Sequence, residues 1–182
     1  MSLQTWGETL ISAQVDGTAL NTSTTATSIL PPAAKFTLPA NFFSIGKVIR
    51  VSAFGRISTT TGPPTITYDV RLGSVVVFNG AAVTTVASVT NKTWELVALL
   101  TCRAIGASTS ANLIGVGRLT SSAVVGSTGG AANTAMLPDS APAVGTGFDS
   151  TAAQAVDLFA TWSASSASNS VQLHGYTLEA MN

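Results

Sequence analysis

The sequence predicts an all-β protein, an antiparallel sandwich of about eight strands preceded by an N-terminal arm. Three observations predict it. Apolar and polar side chains alternate at nearly every step through Lys47–Ile57, Thr65–Leu72, Val156–Ala164 and Ser170–Met181. That is the period of a strand with one buried face, and no segment carries a convincing helical period. Each run is bounded by Gly, Pro, Ser, Thr or Asn, the residues of turns. The turns recur at roughly 8–12-residue spacing, which points to a sandwich, a barrel or a jelly roll.

The elements follow in order. Residues 1–30 read as an arm: Trp6, Leu10 and Ile11 are apolar among polar neighbours, and a Thr/Ser tract, NTSTTATS, precedes the Pro31–Pro32 break. Residues 31–182 read as a single β-sandwich domain, since one domain is the natural prior for 182 residues. Lys35–Leu38 is a short strand, and Pro39–Gly46 is a turn carrying Phe42 and Phe43. Lys47–Ile57 is the first long strand. In Thr65–Leu72, Ile66, Tyr68, Val70 and Leu72 point one way, and Thr65, Thr67, Asp69 and Arg71 the other. Gly73 marks a hairpin into Ser74–Phe78, which Asn79–Gly80 ends as a turn. Thr93–Ala104 is nearly continuously apolar and reads as a strand buried on both sides. Asn112–Thr120 is a further strand, whose Gly115 and Gly117 signal a bulge or a tight contact with a neighbouring backbone. Ser121–Gly147 reads as a long loop, the candidate exposed tip or inter-subunit wrap. Val156–Ala164 and Ser170–Met181 read as a terminal hairpin across Ser165–Asn169.

Charge is the unusual bulk property. Only 9% of residues are Asp, Glu, Lys or Arg, against about 25% in ordinary globular domains. A small-polar surface of this kind suits either a protein partly covered by partners, the favoured reading, or a Thr/Ser-rich β surface that tolerates low charge. The charges are also sorted. All eight bases precede residue 119, with four acids among them, whereas residues 119–182 hold four acids and no base. The two parts therefore carry +4 and −4, which reads either as a chain able to pair head to tail with a copy of itself or as sparse charge scattered by chance. The bases are never clustered, so nucleic acid is not an expected partner. There is no apolar run of 18 residues and no secretion-type leader, so the expectation is no membrane span and assembly in a cytoplasm.

Chemistry is sparse. His174 is the only histidine, so a Ser–His–Asp triad would have to run through it. It reads as a surface or hydrogen-bonded strand residue facing the same way as Gln172 and Tyr176. The lone Cys102 has no partner for an internal disulfide and reads as a buried, inert thiol. Asp69, Glu95, Asp157 and Glu179 are the acids available as a carboxylate pair. All four read as solvated side chains on outward strand faces. No metal-ligand spacing, phosphate loop or nucleophile elbow is present. The expectation is a non-enzyme without metal or cofactor. Trp6, Leu10, Ile11, Phe42 and Phe43, which lie outside the strong strands, are the candidate partner-interface residues, because aromatics are enriched at interfaces.

Whole segments resemble a known group. TALNTSTTATSILPPAAKFTLPANFFSIGKVIRVSAFGRIS, DVRLGSVVVFNG, LTCRAIGASTSANLIGVGRLTSSAVVG and PAVGTGFDSTAAQAVDLFATWSASSASNSVQLHGYTLE are similar to tailed-bacteriophage virion proteins of the head decoration, or cement, type. The likeness covers most of the chain and is one of texture, with no catalytic motif to carry over. It implies a jelly-roll-like sandwich, a homotrimer and a partner in the phage major capsid protein. It also implies a place on the capsid surface of the virion and a mechanical role in stabilising the shell. A trimeric receptor-binding or fibre-head module recognising a host surface glycan is the alternative.

Overall fold

The computed structural model describes residues 7–127 and 133–181. They form two antiparallel sheets packed face to face, a β-sandwich. Twelve strands are present among the described residues: β1 (Gly7–Ser12), β2 (Leu20–Asn21), β3 (Thr27–Ser28), β4 (Thr37–Leu38), β5 (Val48–Ser58), β6 (Thr65–Leu72), β7 (Val75–Thr84), β8 (Lys92–Ala104), β9 (Asn112–Ser121), β10 (Thr134–Leu137), β11 (Gln154–Trp162) and β12 (Ser170–Met181). The larger sheet runs β1-β12-β5-β8-β9-β10, with β2 also on β12. The smaller runs β3-β11-β6-β7, with β4 also on β11.

The long strands bury one face each, as their period requires. Ile49, Val51, Ala53 and Ile57 of β5 meet Ile66, Tyr68, Val70 and Leu72 of β6 in one core. Trp94 and Trp162 are buried within it, and their indole N–H groups donate to the carbonyls of Arg56 and Leu20, each at 3.2 Å. Those bonds satisfy donors that would otherwise be costly to bury. Gly73 sits at φ +58°, a left-handed conformation that glycine adopts without steric cost, and there the chain reverses from β6 into β7.

Six features differ from the sequence expectation. The arm over residues 1–30 is no free arm along its described part. β1 and β2 pair with β12, β3 pairs with β11, and Leu20, Ile29 and Leu30 are in the core. Two sheet edges need covering, and this segment covers one of each. The proposed terminal hairpin does not form: β11 pairs with β6 and β12 with β5, in different sheets. Asn79–Gly80 lies within β7, where the ladder shifts register, and the strand runs on to Thr84. The described part of Ser121–Gly147 includes β10, an edge strand on β9.

Gly115 and Gly117 make a tight contact with side chains. A Cβ on Gly115 would lie 2.6 Å from the Phe78 ring, so β9 gives up side chains where β7 inserts an aromatic. Finally, β8 is buried on one side only. Trp94, Leu96, Ala98, Leu100 and Cys102 face the core, while Glu95, Leu99 and Arg103 are exposed. That last difference opens the face described next.

Candidate functional site

The outer face of the larger sheet carries an apolar belt. On β8 the outward residues are Glu95, Val97, Leu99, Thr101 and Arg103. Cross-strand pairing sets Leu99 beside Val116 and Val97 beside Arg118 on β9, and Arg118 beside Met136 on β10. Val97, Leu99, Val116, Gly117, Arg118 and Met136 line a shallow depression of about 290 Å³. Leu99, Val116 and Met136 are 39%, 42% and 44% exposed, and Phe54, on β5 beside Glu95, is 53% exposed. Single exposed apolar residues are ordinary, but several on one sheet face form a patch of the kind that marks an interaction site.

The charges around the belt divide into two kinds. Arg50 is engaged by Glu179 across the β5–β12 ladder. Glu95, Arg103 and Arg118 are exposed and form no salt bridge among the described residues.

The residues singled out from sequence are placed differently. Trp6 lies outside the described residues. Leu10 and Ile11 are half-buried, packed on the core from β1. Phe42 is half-buried, edge-on to Phe43 at 5.2 Å, with the Lys47 ammonium 4.1 Å above its ring. Phe43 is buried against Phe148, ring centres 5.3 Å apart. Internal packing engages all four, and they do not converge with the belt. A usable signal did exist: the run TWELVALLTCRA is too apolar for a half-buried strand. Once Trp94 and Leu96 take the inside, Val97 and Leu99 are left outside.

The acids also correct the sequence reading. Asp69 and Asp157 are buried rather than solvated. Asp157 accepts from the Ser28 hydroxyl at 2.7 Å and from its neighbour's backbone, the Leu158 N–H, at 2.8 Å, and the Lys35 ammonium is 2.7 Å away. Asp69 contacts Arg71 at 3.3 Å, whose guanidinium lies 4.0 Å above the Phe159 ring. Burial pushes the Asp69 carboxyl above the usual carboxylate range, and the hydrogen bond and charge of Arg71 oppose the shift. Each of these acids contacts a base, but Asp69 Oδ1 and Arg71 Nε are buried without a hydrogen-bond partner among the described residues.

His174 contacts Asp16 at 2.9 Å. A bulge between Leu173 and Gly175 reverses the strand's parity, so Tyr176 enters the core while His174 and Gln172 stay outside. Cys102 is buried, and burial pushes its thiol up. Among the described residues no three metal-ligating side chains come together. No helix there is long and apolar enough to cross a membrane. A second concavity of about 590 Å³ lies among the loops at one end of the sandwich, lined by hydroxyls of Ser58–Thr61, Ser88, Thr90, Ser168 and Ser170. Its lining holds no aromatic ring.

No protein-family model matches the chain, and no curated protein matches it.

Proposed function

We propose that the protein is a non-enzymatic structural component of a tailed-phage particle, a decoration protein that binds the outside of the head and stabilises its lattice. The observation that carries this reading is the belt of Leu99, Val116, Met136 and Phe54 on the outer face of the larger sheet. Exposed apolar area on a charge-poor surface suits a protein that works covered. The belt brings copies of the chain together, and a unit with several copies binds several shell subunits at once. Linked binding of this kind raises avidity roughly 10²–10⁴-fold without new contacts, and a ligand that binds only the assembled shell stabilises it by mass action.

The alternative, a receptor-binding head, would use the hydroxyl-lined concavity. Sugar rings are gripped by stacking as well as by hydrogen bonds, and that lining offers hydroxyls with Val89 and Ala167 but no aromatic ring. Decoration is therefore preferred.

Undecorated heads mixed with the purified chain and pelleted test the reading. Saturable binding at hundreds of copies per head is expected, with the heads then resisting higher temperature. Failure of the wild-type chain to pellet with heads overturns it.

A further inference from the structure

The belt has a symmetry in its charges. On β8, Glu95 lies four residues before Leu99 and Arg103 four residues after it, and all three are exposed on the outer side. Arg103 occupies the bulge between Cys102 and Ala104 at the strand's end. Neither charge has an ionic partner among the described residues. An acid and a base placed evenly about an apolar centre make a surface complementary to itself.

We infer that the outer face of the larger sheet is a two-fold interface with a second copy of this chain, centred on Leu99, in which Glu95 of each copy meets Arg103 of the other. The inference rests on the reading of the belt as the self-association face. A two-fold axis lying between the stacked sheets and across the strands runs β8 of one copy antiparallel over β8 of its partner. Leu99 then faces Leu99, Val97 faces Thr101, and the Glu95–Arg103 contact occurs twice. Leu99 pairs with Val116 on β9, so the same axis passes over Val116, and Arg118 comes to face the aliphatic Ile114. On β5 the axis passes over Arg50, whose charge Glu179 of its own copy already meets.

The face is large enough. Six strands about 4.8 Å apart and central strands of ten to thirteen residues at about 3.3 Å per residue offer on the order of 1,000 Å². A stable pairing needs about 800 Å² from each partner. At the axis Leu99 and Val116 are apolar and Glu95 and Arg103 lie toward the margin, while the Arg50–Glu179 pair and Arg118 lie close beside the centre. An isologous contact of this kind closes on itself.

The pairing is two-fold, whereas the phage-protein resemblance leads to three-fold, so the two are separable. Sedimentation equilibrium of the full chain across a concentration series is the test, with thermal melts of each variant confirming the fold. The wild type is expected to be a dimer that dissociates on dilution. Glu95→Arg and Arg103→Glu each set like charges opposite one another and are expected to weaken dimerisation at least tenfold. The double variant E95R/R103E restores opposite charges at both contacts and is expected to return to near the wild-type dissociation constant. A monomer or a trimer at every concentration overturns the inference, as does a double variant no better than the singles. Pelleting with heads separates this failure from that of the functional reading: a monomer or trimer that still decorates heads removes the two-fold pairing alone.

Discussion

The two sheets turn opposite kinds of outer surface away from the core. On the smaller sheet, the charged residues of β6 and β11 are sunk and matched: Asp157 with Lys35 and Ser28, Asp69 with Arg71, and Arg71 over Phe159. Ser28 and Lys35 come from the N-terminal segment, which pairs along the edge of β11 through β3 and β4. On the larger sheet, β8 and β9 leave Leu99 and Val116 exposed and keep Glu95, Arg103 and Arg118 without ionic partners among the described residues. The smaller sheet's face meets its charges within the chain, although Asp69 Oδ1 and Arg71 Nε stay buried without a hydrogen-bond partner among the described residues. The other has both of the features, apolar area and unspent charge, that a second molecule would finish.

That contrast can be broken from either side. The largest effect is expected at Asp157. Asp157→Ala leaves the Ser28 hydroxyl and Lys35 without their acceptor, and the unfolding free energy from urea titration should fall by about 2–3 kcal/mol. An unchanged midpoint would mean the clasp does not hold the N-terminal segment down. Next is Gly115→Val, which drives a side chain into the Phe78 ring between the sheets. Overpacking there should cost about 1–3 kcal/mol, read as a lowered melting temperature.

Asp69 gives the smaller sheet a dependence on pH. Its folded pKa is raised, so the folded state holds this proton more tightly than the unfolded chain. Its contribution to stability is therefore fully present below the ordinary carboxylate pKa and is lost as pH rises through the raised value. In wild type this residue should contribute a rise in stability on acidification from neutral pH into the carboxylate range. Asp69→Asn should remove that component from a plot of urea midpoint against pH, and identical slopes in the two proteins would refute it.

The smallest effect on stability is expected on the open face. Leu99→Ser should change the monomer's unfolding free energy by no more than about 0.5 kcal/mol, as exposed substitutions usually do. Association should nonetheless weaken. A large loss of monomer stability would show that Leu99 serves the fold instead.

Much of the fold was legible from local pattern. Thr65–Leu72 alternates so cleanly that its bounds and its inward set, Ile66, Tyr68, Val70 and Leu72, read straight off the chain. The belt was harder to see. The aromatics Phe42 and Phe43 drew attention because they sit outside strands, yet Phe43 fills the core beside Phe148. Leu99 looked like core because its strand, nearly continuously apolar, reads as buried on both sides. Asp157 looked solvated because its partner Ser28 is 129 residues away, and nothing local announces such a contact.

Local pattern in the chain already set the long strands and the Gly73 reversal, because side-chain alternation and glycine dihedrals act within a few residues. Only the tertiary structure decided that β11 and β12 join different sheets, which side of β8 faces water and which acids are buried. Those outcomes depend on which distant strand covers a given face, and a strand's period is the same whichever partner covers it.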